Sequence, residues 1–270
     1  MKVLQRFFTF LVFLFLYAPL LVMVFFSFNA SKSTSVFSGF SLKWYIELFS
    51  NGETMTALKN TLLLAIIASV VATLLGTITA VGIFRLRSKP VKSTIMTVTN
   101  IPMMNPDIVT GVSLMLLFVF VGRLIGSRDS LSFGTLLIAH ITFNLPYVIL
   151  NVLPKLRQTD KHLYEAAQDL GCNPFSAFVR VMLPAIAPGI LAGFMMAFTL
   201  SLDDFIISYY TVGADFKTLP LMIYAMTRKA VKPDMYALSS VILFTILILL
   251  LLINIAQMKS DKKLKGDRKV

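Results

Sequence analysis

Six apolar runs, each long enough to cross a lipid bilayer, dominate this sequence and leave few other folds open to it. They cover Phe7–Phe28, Asn60–Phe84, Thr94–Phe120, Leu131–Leu153, Ala187–Tyr209 and Ala237–Met258. A span needs about 20 mostly apolar residues to cross a hydrocarbon core of roughly 30 Å. Composition agrees, because 57% of the 270 residues are hydrophobic and only 14% charged, too little polar surface for a water-soluble domain of this length. The expected fold is an all-α integral membrane protein of six transmembrane helices, residues 1–270 forming a single domain. The first run follows Lys2 and Arg6 as a secretory signal would, but it is too long and no A-x-A-like site follows it. Pro102 and Pro106 interrupt the third run, which predicts a broken or kinked helix there. Pro146 lies inside the fourth.

Lys and Arg are retained on the cytoplasmic side of a membrane protein. With the N-terminus inside, 16 of the 25 fall in inner segments: the N-terminus, Arg85 to Lys92, Lys155 to Arg180, and the basic tail Lys259 to Lys269. The opposite orientation reverses that bias, so both termini are expected in the cytoplasm. The net charge of +12 is scattered between apolar segments instead of gathered on one domain, which argues against a nucleic-acid partner. Trp44 and Tyr45 fall in the first outer loop and suit an interfacial aromatic anchor. A single cysteine, Cys172, excludes an intrachain disulfide and a cysteine-based metal site. Neither His140 nor His162 has a metal-ligand neighbour at helical spacing, so no metal site is expected.

Residues 154–186, between the fourth and fifth runs, are patterned without being apolar enough for lipid. They read as a cytoplasmic helical hairpin. Leu163, Ala166, Ala167 and Leu170 fall at helical spacing opposite Lys161, Glu165 and Asp169. Gly171 is placed to close that helix in the left-handed conformation, and Asn173 with Pro174 supplies an N-cap and first-turn residue for a second helix. Its stripe is Phe175, Phe178, Val179 and Met182, and Pro184 is expected to end it. Two short amphipathic helices joined to membrane spans have the form of a docking element for a soluble partner.

Glu165-Ala166-Ala167, three residues, Gly171, nine residues and Val181-Met182-Leu183-Pro184 resemble the EAA signature of the permeases of ATP-binding-cassette importers, which usually carry isoleucine where Val181 stands. The resemblance implies a type I importer permease fold in which Glu165, Ala166, Ala167, Gly171, Leu183 and Pro184 belong to the ATPase coupling element. Little side chain at Ala166, Ala167 and Gly171 leaves room for close approach of a partner backbone. No G-x-x-x-x-G-K-[ST] phosphate loop and no nucleophile-base constellation occurs. Catalytic residues are therefore expected to be absent here, and ATP with Mg²⁺ to be used by a separate ATPase while this chain holds no cofactor.

Ionisable groups within the apolar runs are few, and such groups mark a pathway by default. They are Asp107, Asp203, Asp204 and His140. Asp107 lies 15 residues past Lys92, and Asp203 15 past Pro188, roughly 22 Å in each case, which suggests similar depths and an acidic site suited to a cation. Asn105-Pro106-Asp107 also reads as a helix start, and His140 with Asn144 as an interhelical hydrogen-bonding pair. Asn105 to Val109, Ser201 to Phe205 and Leu219 to Tyr224 are similar to segments of spermidine/putrescine permeases, as are Trp44-Tyr45 and His140 to Phe143. Ala230 and Tyr236 depart from that pattern. The resemblance implies polyamine import, a pathway including Asp107, Asp203, Asp204 and Tyr224, two ATPase subunits, a homologous second permease, an extracytoplasmic polyamine-binding protein and a bacterial plasma-membrane location. A permease for another solute, such as ferric iron or thiamine, is the alternative within importers. A gradient-driven transporter would also explain buried acids, but not the coupling-loop signature.

Overall fold

The computed structural model describes residues 2–31, 36–126, 130–160, 162–228, 235–248 and 251. Lys161, Ala230 and the tail Lys259 to Lys269 lie outside them. The described chain is helical, with nothing more sheet-like than an isolated bridge between Asn29 and Phe40. Five helices are long and apolar enough to cross a membrane: Leu4–Ser27, Gly52–Arg85, Asp107–Leu124, Phe133–Gln158 and Pro174–Asp203. A shorter apolar helix, Met235–Ile248, covers the described part of the sixth expected run.

The described residues divide into two compact units, those up to 57 with those from 222 to 251, and those between 58 and 221. In the first, α1 (Lys2–Ser27) buries almost none of its apolar surface. The loop after it is tied by side chains. Trp44, at the start of α2 (Lys43–Ser50), donates its indole N–H to the Asn29 carbonyl at 2.7 Å, and the Tyr45 hydroxyl is 2.7 Å from Ser27 Oγ. Phe28 stacks between Phe40 and Tyr45. Trp44 is only 4% exposed, so its place is inside this loop and not at a lipid interface as the sequence suggested; a buried indole needs an acceptor, and the Asn29 carbonyl is one.

The second unit is built on α3 (Gly52–Arg85, whose first turns belong to the other unit), α4 (Lys89–Met104), α5 (Asp107–Leu124) and α6 (Phe133–Gln158). The hairpin helices α7 (His162–Asp169) and α8 (Pro174–Ala177), then α9 (Leu183–Asp203) and α10 (Ile206–Thr211), complete it. The chain continues through α11 (Leu219–Thr227), shared with the first unit, to α12 (Met235–Ile248). Helices in lipid gain little from burying apolar surface against one another, so close packing of small residues joins them. Ala72 and Ala80 of α3 and Ala197 of α9 meet Val148, Ile149 and Val152 of α6 in one core. A Cβ added at Gly76 would lie 2.6 Å from Val148 Cγ1, and one at Gly193 3.2 Å from Val148 Cα. These contacts let three helices approach along their backbones.

Three expectations need correction. The third run is broken, as its prolines predict, but it is not one span from Thr94 to Phe120: α4 ends at Met104, α5 starts at Asp107, and α5 alone has the length and hydropathy of a span. Pro106 causes the break and Pro102 does not, since Pro102 remains inside α4. Pro184 does not end the hairpin's second helix. Residues Phe178–Met182 form a wide π turn in which the Leu183 N–H reaches the Phe178 carbonyl; widening of this kind accommodates the donor that proline lacks, and Pro174–Asp203 is continuous over 30 residues. The fifth run is not regular to Tyr209, because the helix stops at Asp203 and resumes at Ile206.

Candidate functional site

The break at the end of α9 gives each of two neighbouring carboxylates its own setting. Asp204 has extended backbone angles, φ −62° and ψ 122°, the conformation of a residue that caps a following helix. Its Oδ2 accepts the Ser208 N–H at 2.7 Å and its Oδ1 the Ile207 N–H at 3.3 Å, satisfying the exposed donors of α10. The side chain is 9% exposed, and Oδ2 lies 3.5 Å from Nε2 of the fully buried His140. The same Nε2 is 3.0 Å from Ser208 Oγ. Asp203, one residue earlier, is exposed at the last position of α9.

Asp107 joins them across space. It is the first residue of α5, exposed, with Pro106 at the cap position. Asn105 is not the N-cap that the sequence suggested; it closes α4 and sends its amide toward Thr110 Oγ1. The α5 start packs on α10 closely enough that a Cβ at Gly111 would meet the Tyr210 ring at 3.0 Å. Asp107 thus starts the helix that packs on α10, whose first turn Asp204 caps, and Asp203 precedes it in the chain.

A polar ladder holds that place to α6. Asn144 Nδ2 donates to Ser201 Oγ at 2.7 Å, His140 meets Ser208, and Thr135 Oγ1 donates to the Thr211 carbonyl at 3.0 Å. His140 and Asn144 therefore are interhelical hydrogen-bonding groups, as their position in an apolar run predicts. Sequence reasoning missed Ser208 and the capping role of Asp204. An aspartate ahead of a short apolar turn was the available signal, masked by reading Ala187–Tyr209 as one helix. Tyr224 lies on α11 in the other unit, where the Arg228 guanidinium sits 4.9 Å from its ring centroid and donates to its hydroxyl at 2.7 Å.

The hairpin forms a second candidate element. Its first helix closes in a Schellman arrangement: Cys172 N–H to the Ala167 carbonyl at 3.1 Å, Gly171 N–H to the Gln168 carbonyl at 2.8 Å, and Gly171 at φ +88°. Asn173 Oδ1 then accepts the Ser176 N–H at 2.7 Å, with Pro174 in the first turn. Ala167 is buried, which anchors α7, whereas Glu165, Ala166, Gly171 and Pro184 are exposed and Leu183 is half-buried. Leu170 and Phe175 stand 87% and 76% exposed. Glu165 faces His162, Oε2 to Nδ1 at 3.3 Å. The outcome is an apolar knuckle whose tip is a glycine with nothing within 4 Å of where its Cβ would be.

Residues 72–266 match the family described as binding-protein-dependent transport system inner membrane component. The chain is 35% identical over 260 residues to the spermidine/putrescine transport system permease protein PotC of Escherichia coli K12, covering 96% of this chain and 95% of that protein. To the putrescine transport system permease protein PotI of the same organism it is 39% identical over 231 residues, covering 86% and 82%. Among solved structures, a bacterial ABC transporter that imports the acidic polysaccharide alginate superposes with a TM-score of 0.74 at 16% identity, over 97% of this chain and 96% of that one; this likeness concerns the fold. Sequence kinship over nearly the whole chain agrees with the EAA-like hairpin and the apolar helices: this multi-pass membrane protein belongs to the binding-protein-dependent transport system inner membrane components and is a permease component of an ABC importer.

Proposed function

We propose that this chain lines the path of a polyamine importer, with Asp203 and Asp107 offering exposed carboxylates to the substrate's ammonium groups and Asp204 adding its charge from behind while it caps α10. One observation carries the reading beyond kinship with permeases named for spermidine and putrescine: the break between α9 and α10 holds two adjacent carboxylates, and α5, packed on α10, starts with a third. Charge at membrane depth is costly unless it is used. A cation leaving water needs such partners, held weakly enough to release it on the other side. Tyr224 remains a proposed contact on the path, its ring already occupied by Arg228.

In this reading the chain is non-catalytic and binds no cofactor or metal. ATP and Mg²⁺ belong to two ATPase subunits, one of which seats on the knuckle formed by Glu165, Ala166, Ala167 and Gly171, with Leu183 and Pro184 carrying its motion into α9. A homologous second permease completes the path, and an extracytoplasmic binding protein delivers the polyamine. The membrane is the bacterial plasma membrane, six helices cross it, and both termini face the cytoplasm. Reconstituting the complex in proteoliposomes with ATP and measuring spermidine and putrescine uptake tests this. Uptake is expected to need ATP and to saturate. Transport of thiamine or ferric iron in the absence of polyamine uptake would replace the reading with another solute.

A further inference from the structure

Four cationic side chains converge where the apolar helices α3 and α6 end. Arg85 is the last residue of α3, Arg87 follows it, Lys92 lies in the first turns of α4, and Arg157 in the last turn of α6. Together they line one cavity of about 800 Å³. Helix C-termini and the end of a span account for cations being present. They do not account for the charges being left unneutralised while two carboxylates line the same cavity. Both carboxylates are engaged elsewhere: Asp160 Oδ1 accepts the His162 N–H at 3.0 Å, and Glu165 faces the His162 ring. Among the described residues none of the four cations has a carboxylate within ion-pair distance. Arg85 rests instead over the Tyr164 ring at 5.0 Å and Lys92 over Phe84 at 5.9 Å, contacts that orient a cation without cancelling its charge.

A second feature points to the ligand. The basic cavity shares Val81, Arg85, Tyr164 and Phe178 with an apolar groove of about 1240 Å³ between α3 and α9. Along α3 this groove runs from Arg85 back to Val70, 15 residues and so about 22 Å, whereas half a hydrocarbon core is about 15 Å. Leu74, Ile78, Ile190 and Phe194 are among its walls. A basic cavity at the depth where spans end, opening into an apolar channel of acyl-chain length, has the two-part chemistry that fits one molecule. We propose that this is a binding site for an anionic phospholipid, its phosphate among Arg85, Arg87, Lys92 and Arg157 and one acyl chain in the α3–α9 groove.

The test uses the full-length protein, with the subunits that co-purify, in nanodiscs of phosphatidylcholine containing a minor fraction of phosphatidylglycerol. Bound lipid is measured by native mass spectrometry. Phosphatidylglycerol is expected to be retained over phosphatidylcholine by the unaltered protein, a result that depends on no variant. Arg87 and Arg157 are exposed, and the double variant Arg87→Gln with Arg157→Gln should weaken retention about 25-fold, from roughly fivefold for each basic residue near a membrane surface. Ala187→Phe, which fills the groove and touches no cation, should weaken it as well. Equal retention of the two lipids, or retention unchanged in both variants, overturns the proposal. So does displacement by millimolar inorganic phosphate with no effect of Ala187→Phe, which marks a free-anion site, and loss of lipid whenever partner subunits are bound, which marks a protein interface.

Discussion

A carboxylate that accepts two backbone N–H groups is held by the helix it caps, and an exposed one beside it is left to a ligand. This separates Asp204 from Asp203 although they are adjacent. Asparagine keeps one acceptor oxygen, enough for the shorter bond to the Ser208 N–H and for a cap, so Asp204→Asn should leave expression and most of the uptake intact, whereas Asp203→Asn should raise the KM for spermidine about 10-fold, the scale of one charge-assisted hydrogen bond. Uptake assays at matched membrane expression decide it, and equal losses in the two variants would refute the division of roles. Gly171 poses a different problem. At φ +88° any side chain strains the backbone, but asparagine tolerates that conformation far better than leucine. Gly171→Leu is expected to insert normally and to lose substrate-stimulated ATPase activity in the reconstituted complex. If Gly171→Asn, less strained than leucine but larger than glycine, is impaired equally, close approach of the partner matters more than the turn; wild-type activity in both would remove Gly171 from the docking surface.

At the scale of elements, glycine positions sort by what faces them. A Cβ at Gly189 would lie 2.8 Å from Lys155 Cβ and 3.0 Å from the Asn151 carbonyl oxygen, whereas one at Gly82 meets nothing. Gly189→Ala should therefore cost about 1–3 kcal/mol through overpacking of α9 on α6, and Gly82→Ala should stabilise by roughly 0.5 kcal/mol. Unfolding of the purified protein by denaturing detergent measures both. Elements with local signals were legible in the sequence: the α7–α8 hairpin follows from Gly171, Asn173 and Pro174, since caps and turns are decided within a few residues. Elements decided by tertiary contact were not. Nothing local distinguishes Pro102, which a helix absorbs, from Pro106, which breaks one. The π turn at Phe178–Met182 and the stop at Asp203 have only weak local signals, in Pro184 and Asp204. The polar residues before Thr61 hid the first turns of α3, which Asn51 caps through its contacts with the Glu53 and Thr54 N–H groups. The candidate site was legible as a set of acids, but not as a site, because the approach of Asp107 to Asp204 is made by α5 packing on α10.

For the whole molecule, the single cysteine reports orientation without any substitution. Cys172 is partly exposed in the turn between α7 and α8. A thiol reagent that cannot cross membranes should label it in inverted vesicles and not in intact cells, with a bound ATPase protecting it; labelling from outside would reverse the proposed topology. The hairpin's continuity with α9 has a mechanical consequence. One helix of 30 residues carries Phe175, on the apolar knuckle, near its first residue and Asp203 at its last, about 42 Å apart. Midway, Gly189 and Gly193 press it against α6. A stiff beam pinned at its middle turns a push at one end into an opposite swing at the other with nearly equal arms. If the ATPase seats on the knuckle as proposed, work done there is expected to displace the Asp203 carboxylate as a lever does.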